Sequence, residues 1–214
     1  MIPFAHLHVH TEFSLLDGAS SIKKVISRVK ELGMEYCAIT DHGAMYGVVD
    51  FYKEALAQGI KPVIGCEVYV APRTRFDKIY EYDSKYTHLI LLCENEIGYK
   101  NLTYIVTKGF TEGFYYKPRI DFDLLKEHSE GLIALSACLA GEIPRALLSD
   151  DYDGAKKIGQ RYVDLFGKDN FFIEIQDHSL ADQKRINPSL VRLAKELGVG
   201  LVATNDIHYA RRED

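Results

Sequence analysis

Short apolar runs alternate along the chain with stretches whose apolar positions recur every three to four residues. Strands exchanging with amphipathic helices give that pattern. Residues 4–10 read as the first strand. A helix follows in which Ile22, Val25, Ile26, Val29 and Leu32 share one face, with Ser20 or Ser21 placed to cap it and Gly33 to end it. Further strands are predicted over 36–40, over 62–66 with 68–70 around Glu67, and over 89–93, 131–136, 171–175 and 199–203. Helices are predicted over 48–58 (closed by Gly59), 96–108, 121–128, a short piece after 144, 152–166 and 181–197. Pro188 is expected to bend or restart the last of these. Two stretches break the rhythm. Residues 73–86, charged and tyrosine-rich, read as an exposed excursion, and 113–119 as a loop.

Strands alternating with helices predict βαβ units, and near-continuous apolar strands predict a parallel sheet covered by helices. No glycine-rich phosphate loop follows a strand, so a closed or nearly closed barrel is expected rather than an open doubly wound sheet. The 214 residues, 47% apolar and 27% charged, fit one globular domain over 1–214. The formal charge of −5 argues against gripping nucleic acid by net field alone, unless divalent cations add positive charge at the point of contact. Cys37, Cys66, Cys93 and Cys138 are widely spaced, the usage of reduced thiols. With no leader pattern and no apolar run of membrane length, a soluble cytoplasmic protein without a membrane partner is expected.

Chemistry-bearing residues concentrate where the predicted strands end. His6, His8 and His10 share one face of an extended segment, with Asp17 in the following loop. The second strand leads into Asp41 and His42, the third holds Glu67, and Cys138 follows the fifth. The sixth leads into Gln176, Asp177 and His178, and the seventh into Asp206 and His208. Each has an ordinary reading alone, as turn residue, helix cap or small buried hydrophobe. Hard and borderline ligands gathered at the carboxyl ends of a barrel's strands instead predict a multinuclear metal site.

Several motifs then resemble one family. They are His8-Val-His10, Ser14-Leu-Leu-Asp-Gly18, Thr40-Asp-His-Gly43, Gly65-Cys-Glu67, His88-Leu89, Gly113-Phe-Tyr-Tyr-Lys-Pro-Arg119, Ser136-Ala-Cys138 and Ala203-Thr-Asn-Asp-Ile-His-Tyr209. In order and number they resemble the PHP (polymerase and histidinol phosphatase) domain, in the branch found at the N-terminus of bacterial replicative DNA polymerases. The resemblance implies a distorted seven-stranded (β/α), TIM-like barrel holding two or three divalent ions on nine ligands. Carried over by motif, these are His8, His10, Asp17, His42, Glu67, His88, Cys138, Asp206 and His208. His8, His10, Glu67 and Asp206 would form one set, Asp17, His42 and His208 a second, and Glu67, His88 and Cys138 a third, with Glu67 bridging. His6 falls outside the set. His88 precedes its strand, so it reaches the site only if that strand runs against its neighbours or the excursion folds back. A thiolate ligand favours zinc, and the carboxylates also permit manganese or iron.

The implied activity is metal-dependent phosphodiester hydrolysis, as a 3′-5′ exonuclease that proofreads beside a polymerase. DNA and other subunits of the replicative holoenzyme would be its partners. Two alternatives stay open: a phosphatase for a small phosphomonoester, and a metal-stabilised structural module docking a separate proofreading subunit. Arg73, Lys117 and Arg119 are candidates to hold substrate phosphates, with solvated surface charge as the alternative for each. His178 is a candidate substrate-side or outer residue. Residues 209–214 read as the start of another element, so the chain is expected to belong to a longer protein whose polymerase residues it lacks.

Overall fold

The structure is a computed structural model and describes residues 4–214. Its strands are β1 (Tyr36–Ile39), β2 (Lys61–Val70), β3 (Thr87–Cys93), β4 (Phe114–Tyr115), β5 (Lys117–Ile120), β6 (Leu132–Leu135), β7 (Phe171–Ile175) and β8 (Gly200–Ala203). Helices α1 (Ile22–Glu31), α2 (Val48–Gln58), α3 (Tyr80–Asp83) and α4 (Glu96–Thr111) occupy the first half, and α5 (Phe122–Glu127), α6 (Glu142–Leu148), α7 (Tyr152–Phe166) and α8 (Ala181–Leu197) the second. The sheet curls in the order β1-β2-β3-β6-β7-β8. The extended stretch at residues 6–10 closes it, bridging β1 through His6↔Cys37 and the far end of the chain through Val9↔Ile207. The result is the distorted barrel with helices around it that the alternation of elements predicts.

The stretch at 6–10 is not the regular strand its pattern predicts. Val9 gives its amide to the Thr40 hydroxyl, 2.8 Å away, while its carbonyl accepts from the Thr40 amide at 2.9 Å, so pairing there is reduced to isolated bridges. Strand β3 is the second departure. It runs antiparallel to both β2 and β6 in a sheet expected to be parallel throughout. Its first residues therefore lie at the end of the barrel where β2 finishes, with His88 opposite Tyr69. That reversal is what brings His88 to the mouth. The third departure is the predicted loop at 113–119, which forms a β4–β5 hairpin whose second strand pairs with the end of β2.

Period-two alternation sorts the barrel residues. Leu89 and Leu91 of β3 face outward into a core shared with Leu102 and Ile105 of α4. Ile90 and Leu92 face inward, forming a small apolar plug with Ala38, Leu135 and Ala137. Glu67 pairs across from Ile90, at the mouth-side edge of that plug, and Glu174 stands two residues beyond Phe172, which packs on it. The inner face is thus apolar below and polar at the mouth. Outside, Val25, Ile26 and Val29 of α1 pack against Phe51 and Ala55 of α2. Ser21 caps α1 by accepting from the Lys24 amide, a contact worth about 1 kcal/mol. Pro188 lies inside α8, which continues through it without a break. No helix among the described residues is long and apolar enough to cross a membrane.

Candidate metal centre

At the barrel mouth, the backbone brings six segments together around one buried carboxylate. Glu67 Oε1 lies 3.2 Å from His8 Nε2 and 3.0 Å from His88 Nδ1, and its Oε2 touches His42 Nδ1. Asp206 Oδ1 lies 3.1 Å from His8 Nε2 and 3.3 Å from His10 Nε2, and those two nitrogens are 3.1 Å apart. On the open side, Asp17 Oδ2 is 3.2 Å from His42 Nε2 and 3.8 Å from His208 Nε2. Cys138 Sγ sits 3.8 Å from His88 Nδ1 and 3.9 Å from Glu67 Oε1. All nine residues singled out by motif therefore surround one space. Three subsets have donor atoms within 4.8 Å of one another: His8, His10 and Asp206; His10, His42 and His208; and His42, Glu67 and His88.

The donors fit cations better than they fit each other. Asp206 Oδ1 is buried and accepts no hydrogen bond, although two imidazole nitrogens lie within 3.3 Å. Imidazole nitrogens and carboxylate oxygens that converge on one point are what a metal requires. Supporting contacts set the ring orientations. Glu174 Oε1 lies 2.7 Å from His8 Nδ1 and also accepts from Gln176 and Thr204, so the His8 Nδ1 proton points outward and Nε2 faces the centre. Ser14 gives its proton to Asp41 at 2.7 Å and receives His10 Nδ1–H at 3.0 Å, which leaves His10 Nε2 facing the centre in the same way. Asp41 also binds the Thr11 amide and hydroxyl, at 2.6 and 2.8 Å, fixing the turn after His10. Gly43 beside it has φ 60°, and a Cβ there would meet the Tyr69 ring at 2.7 Å, so only glycine lets His42 enter at this angle.

Charge is distributed unevenly over the cluster. Burial opposes a proton on His8, but the carboxylates of Glu174, Glu67 and Asp206 outweigh it and hold the ring well above the usual histidine range. Burial of His10 pushes it down. Burial would raise Glu67, yet hydrogen bonds from His42, His8 and His88 hold it well below a normal carboxylate. Asp206, despite burial, is drawn to about 2 by His10 and His8. Burial pushes the Cys138 thiol up, so a thiolate there needs a cation beside it. An ion entering must displace protons held by the raised groups His8, His42 and Cys138. Apparent affinity is accordingly expected to rise with pH from 6.5 upward, with proton release visible by calorimetry in buffers of different ionisation heat. Binding without proton release at pH 7 would contradict it.

The remaining candidates separate. Lys117 lines the same cleft, with its ammonium 5.3 Å over the Tyr69 ring. Arg119 does not. It is fully buried and donates to the carbonyls of Asp83 and Asp77 (each 2.8 Å), Gly113 (3.2 Å) and Arg75 (3.4 Å), tying the β4–β5 hairpin to the excursion at 73–86. Arg73 pairs with Asp83 within that excursion, and His178 Nε2 bonds the Asn205 carbonyl at 2.8 Å. His6 is buried edge-on to Phe4, apart from the cluster. The residue that sequence reasoning missed is Glu174. Its only signal was a single carboxylate inside the apolar run of β7. Glu174→Gln keeps the shape but loses the charge behind His8, and metal affinity is expected to fall roughly 10–100-fold by titration with zinc.

A mixed-direction barrel with convergent His, Asp, Glu and Cys side chains at one mouth has the architecture and the donor set of a metal centre. The chain belongs to the PHP domain family, whose profile matches residues 6–178. It is 51% identical to the DNA polymerase III subunit alpha of Treponema pallidum over 212 residues, covering 99% of this chain and 18% of that protein. It is 49% identical to the subunit alpha of Thermus aquaticus, again covering 18% of it. The chain thus spans less than a fifth of these relatives. Among solved structures, the fold is similar to a protein from Bifidobacterium adolescentis assigned as a metal-dependent phosphoesterase (TM-score 0.62, 14% identity, 98% of this chain and 89% of that one). An amidohydrolase from Chromobacterium violaceum matches with TM-score 0.60 at 15% identity, covering 95% and 87%.

Proposed function

We propose that residues 1–214 form a single metal-dependent phosphoesterase domain of a bacterial replicative DNA polymerase, removing nucleotides from the 3′ end of DNA as a proofreading exonuclease. The observation that carries the reading is the convergence of nine ligand-type side chains, Glu67 among them, around one space at the floor of an open cleft of about 500 Å³. Likeness to polymerase III alpha subunits supplies the substrate class, the replication context in the cytoplasm and the other holoenzyme subunits as partners. His8, His10, Glu67 and Asp206 would hold one ion, Asp17, His42 and His208 a second, and Glu67, His88 and Cys138 a third. The thiol favours zinc, with manganese or iron permitted by the carboxylates. Bound ions would supply water activation near neutral pH and charge to offset that developing on the phosphoryl oxygens.

The chain's own groups do the positioning. Glu174 and the Ser14–Asp41 pair hold the Nδ1 protons of His8 and His10, so neither ring can rotate away. Lys117 offers a cation at the cleft wall for a substrate phosphate. Burial pushes the Tyr69 phenol up, so its Oη keeps its proton at neutral pH and can donate to a phosphoryl oxygen. The test is incubation of the zinc- or manganese-loaded chain with 5′-labelled single-stranded DNA and, separately, with a small phosphomonoester. Stepwise shortening of DNA from its 3′ end supports the reading. Turnover of the monoester alone would assign a phosphatase, and cleavage of neither would leave a structural module.

A further inference from the structure

The metal cleft has a rim that hydrolysis itself does not require. The cleft is rimmed by Tyr46, Phe114 and Tyr116, the last 64% exposed, and by Leu15 and Leu16, 74% and 92% exposed. Large apolar side chains gathered in solvent around one opening mark a binding surface. Backbone geometry adds a second, independent signal. Leu15 has φ 52° and Tyr116 φ 60°, the left-handed region that disfavours bulky side chains. Tyr116 occupies the turn of the β4–β5 hairpin, where glycine or asparagine is the ordinary occupant. Strain kept at two rim positions of one cleft, each displaying an exposed apolar side chain, points to a retained use for those side chains. Phe114 stacks 6.4 Å from Phe110, itself 6.2 Å from Tyr46, so the wall is a run of π-faces rather than one ring. Lys117 follows Tyr116 directly and faces the same cleft. Flat aromatic faces with a cation beside them suit nucleobases joined by phosphates, and offer little to a small phosphomonoester that lacks a base.

We propose that this rim is a stacking platform for the unpaired terminal bases of a nucleic-acid strand. Tyr116 and Phe114 receive bases, and Leu15–Leu16 add apolar surface elsewhere on the same rim. The proposal rests on reading the cleft as acting on a DNA 3′ end, and it sets the base, not only the phosphate, as what is recognised.

Its test is read by binding, without turnover. A 5′-fluorescein single-stranded oligonucleotide is titrated with this chain in EDTA and followed by anisotropy, against the same oligonucleotide with abasic residues at its 3′ end. Tyr116→Gly is expected to weaken binding of the normal strand roughly tenfold. The abasic strand should lose a similar factor with the native chain and lose nothing further with the variant, while Tyr116→Phe restores normal binding. Glycine suits φ 60°, so the thermal midpoint of Tyr116→Gly should not fall, which separates lost stacking from misfolding. Equal affinity for normal and abasic strands, or no loss in Tyr116→Gly, would overturn the platform. Turnover of bis-p-nitrophenyl phosphate by the metal-loaded chain without base-dependent binding overturns the platform and leaves the hydrolase standing. Base-dependent binding with no hydrolysis of any substrate does the reverse.

Discussion

Glu67→Gln is expected to abolish metal binding at more than one position and to reduce hydrolysis by well over about 100-fold. Replacing partners that only support metal ligands already costs roughly 10–100-fold, and Glu67 is in direct contact with three rings of the cluster. An amide keeps one acceptor oxygen but turns two N–H donors toward imidazole nitrogens that need an acceptor. It also removes the negative charge that the hydrogen bonds of His42, His8 and His88 stabilise. The apolar plug beneath, built on Ile90, Leu92 and Leu135, is untouched, so the barrel should stay folded. Metal content by atomic emission, turnover and a far-ultraviolet spectrum decide it together. A variant with full metal content and turnover would remove Glu67 from the centre, and a collapsed barrel would indicate that the ions are structural.

The second large effect is one of stability. Arg119→Leu should lower the unfolding free energy by about 3–6 kcal/mol, seen as a sharply lower denaturant midpoint, because several carbonyls lose their donor at about 1–3 kcal/mol each. Against the usual 5–15 kcal/mol of a domain, that is a large fraction. Arg119→Lys recovers little, since one ammonium cannot reach carbonyls spread around the planar guanidinium. Had Arg119 served a substrate phosphate, the same substitutions would lower turnover at an unchanged midpoint. Urea titration beside an activity assay separates the two.

Arg119 also shows where the sequence stops being informative. An arginine two residues beyond Lys117 reads as one more surface cation, and nothing in its neighbours signals complete burial against four carbonyls. Helices were more legible. Periodicity located α2, α7 and α8, because a 3.6-residue repeat extends over many residues, and Gly59 marked the end of α2. Strand direction has no such trace, since β3 alternates identically whichever way it runs. Its reversal showed only as an inconsistency, a ligand-type histidine on the wrong side of its strand. The β4–β5 hairpin hid behind Pro118 and a turn whose occupant is tyrosine. Ligand-type residues were legible because His, Asp and Cys are rare at the ends of apolar strands. Glu174 was not, because one polar residue inside a strand does not reveal which face it takes.

The seam at Val9 and Ile207 has a consequence for how the molecule comes together. It joins positions roughly 200 residues apart, and closing so long a loop is among the costlier steps in assembling the chain. His8 and His10 lie on one lip of that seam and Asp206 and His208 on the other, so the centre does not exist until the two ends of the chain have met. Ions held there cannot guide early assembly. They would act as a latch on the finished barrel, lengthening its lifetime while leaving untouched the speed at which it forms.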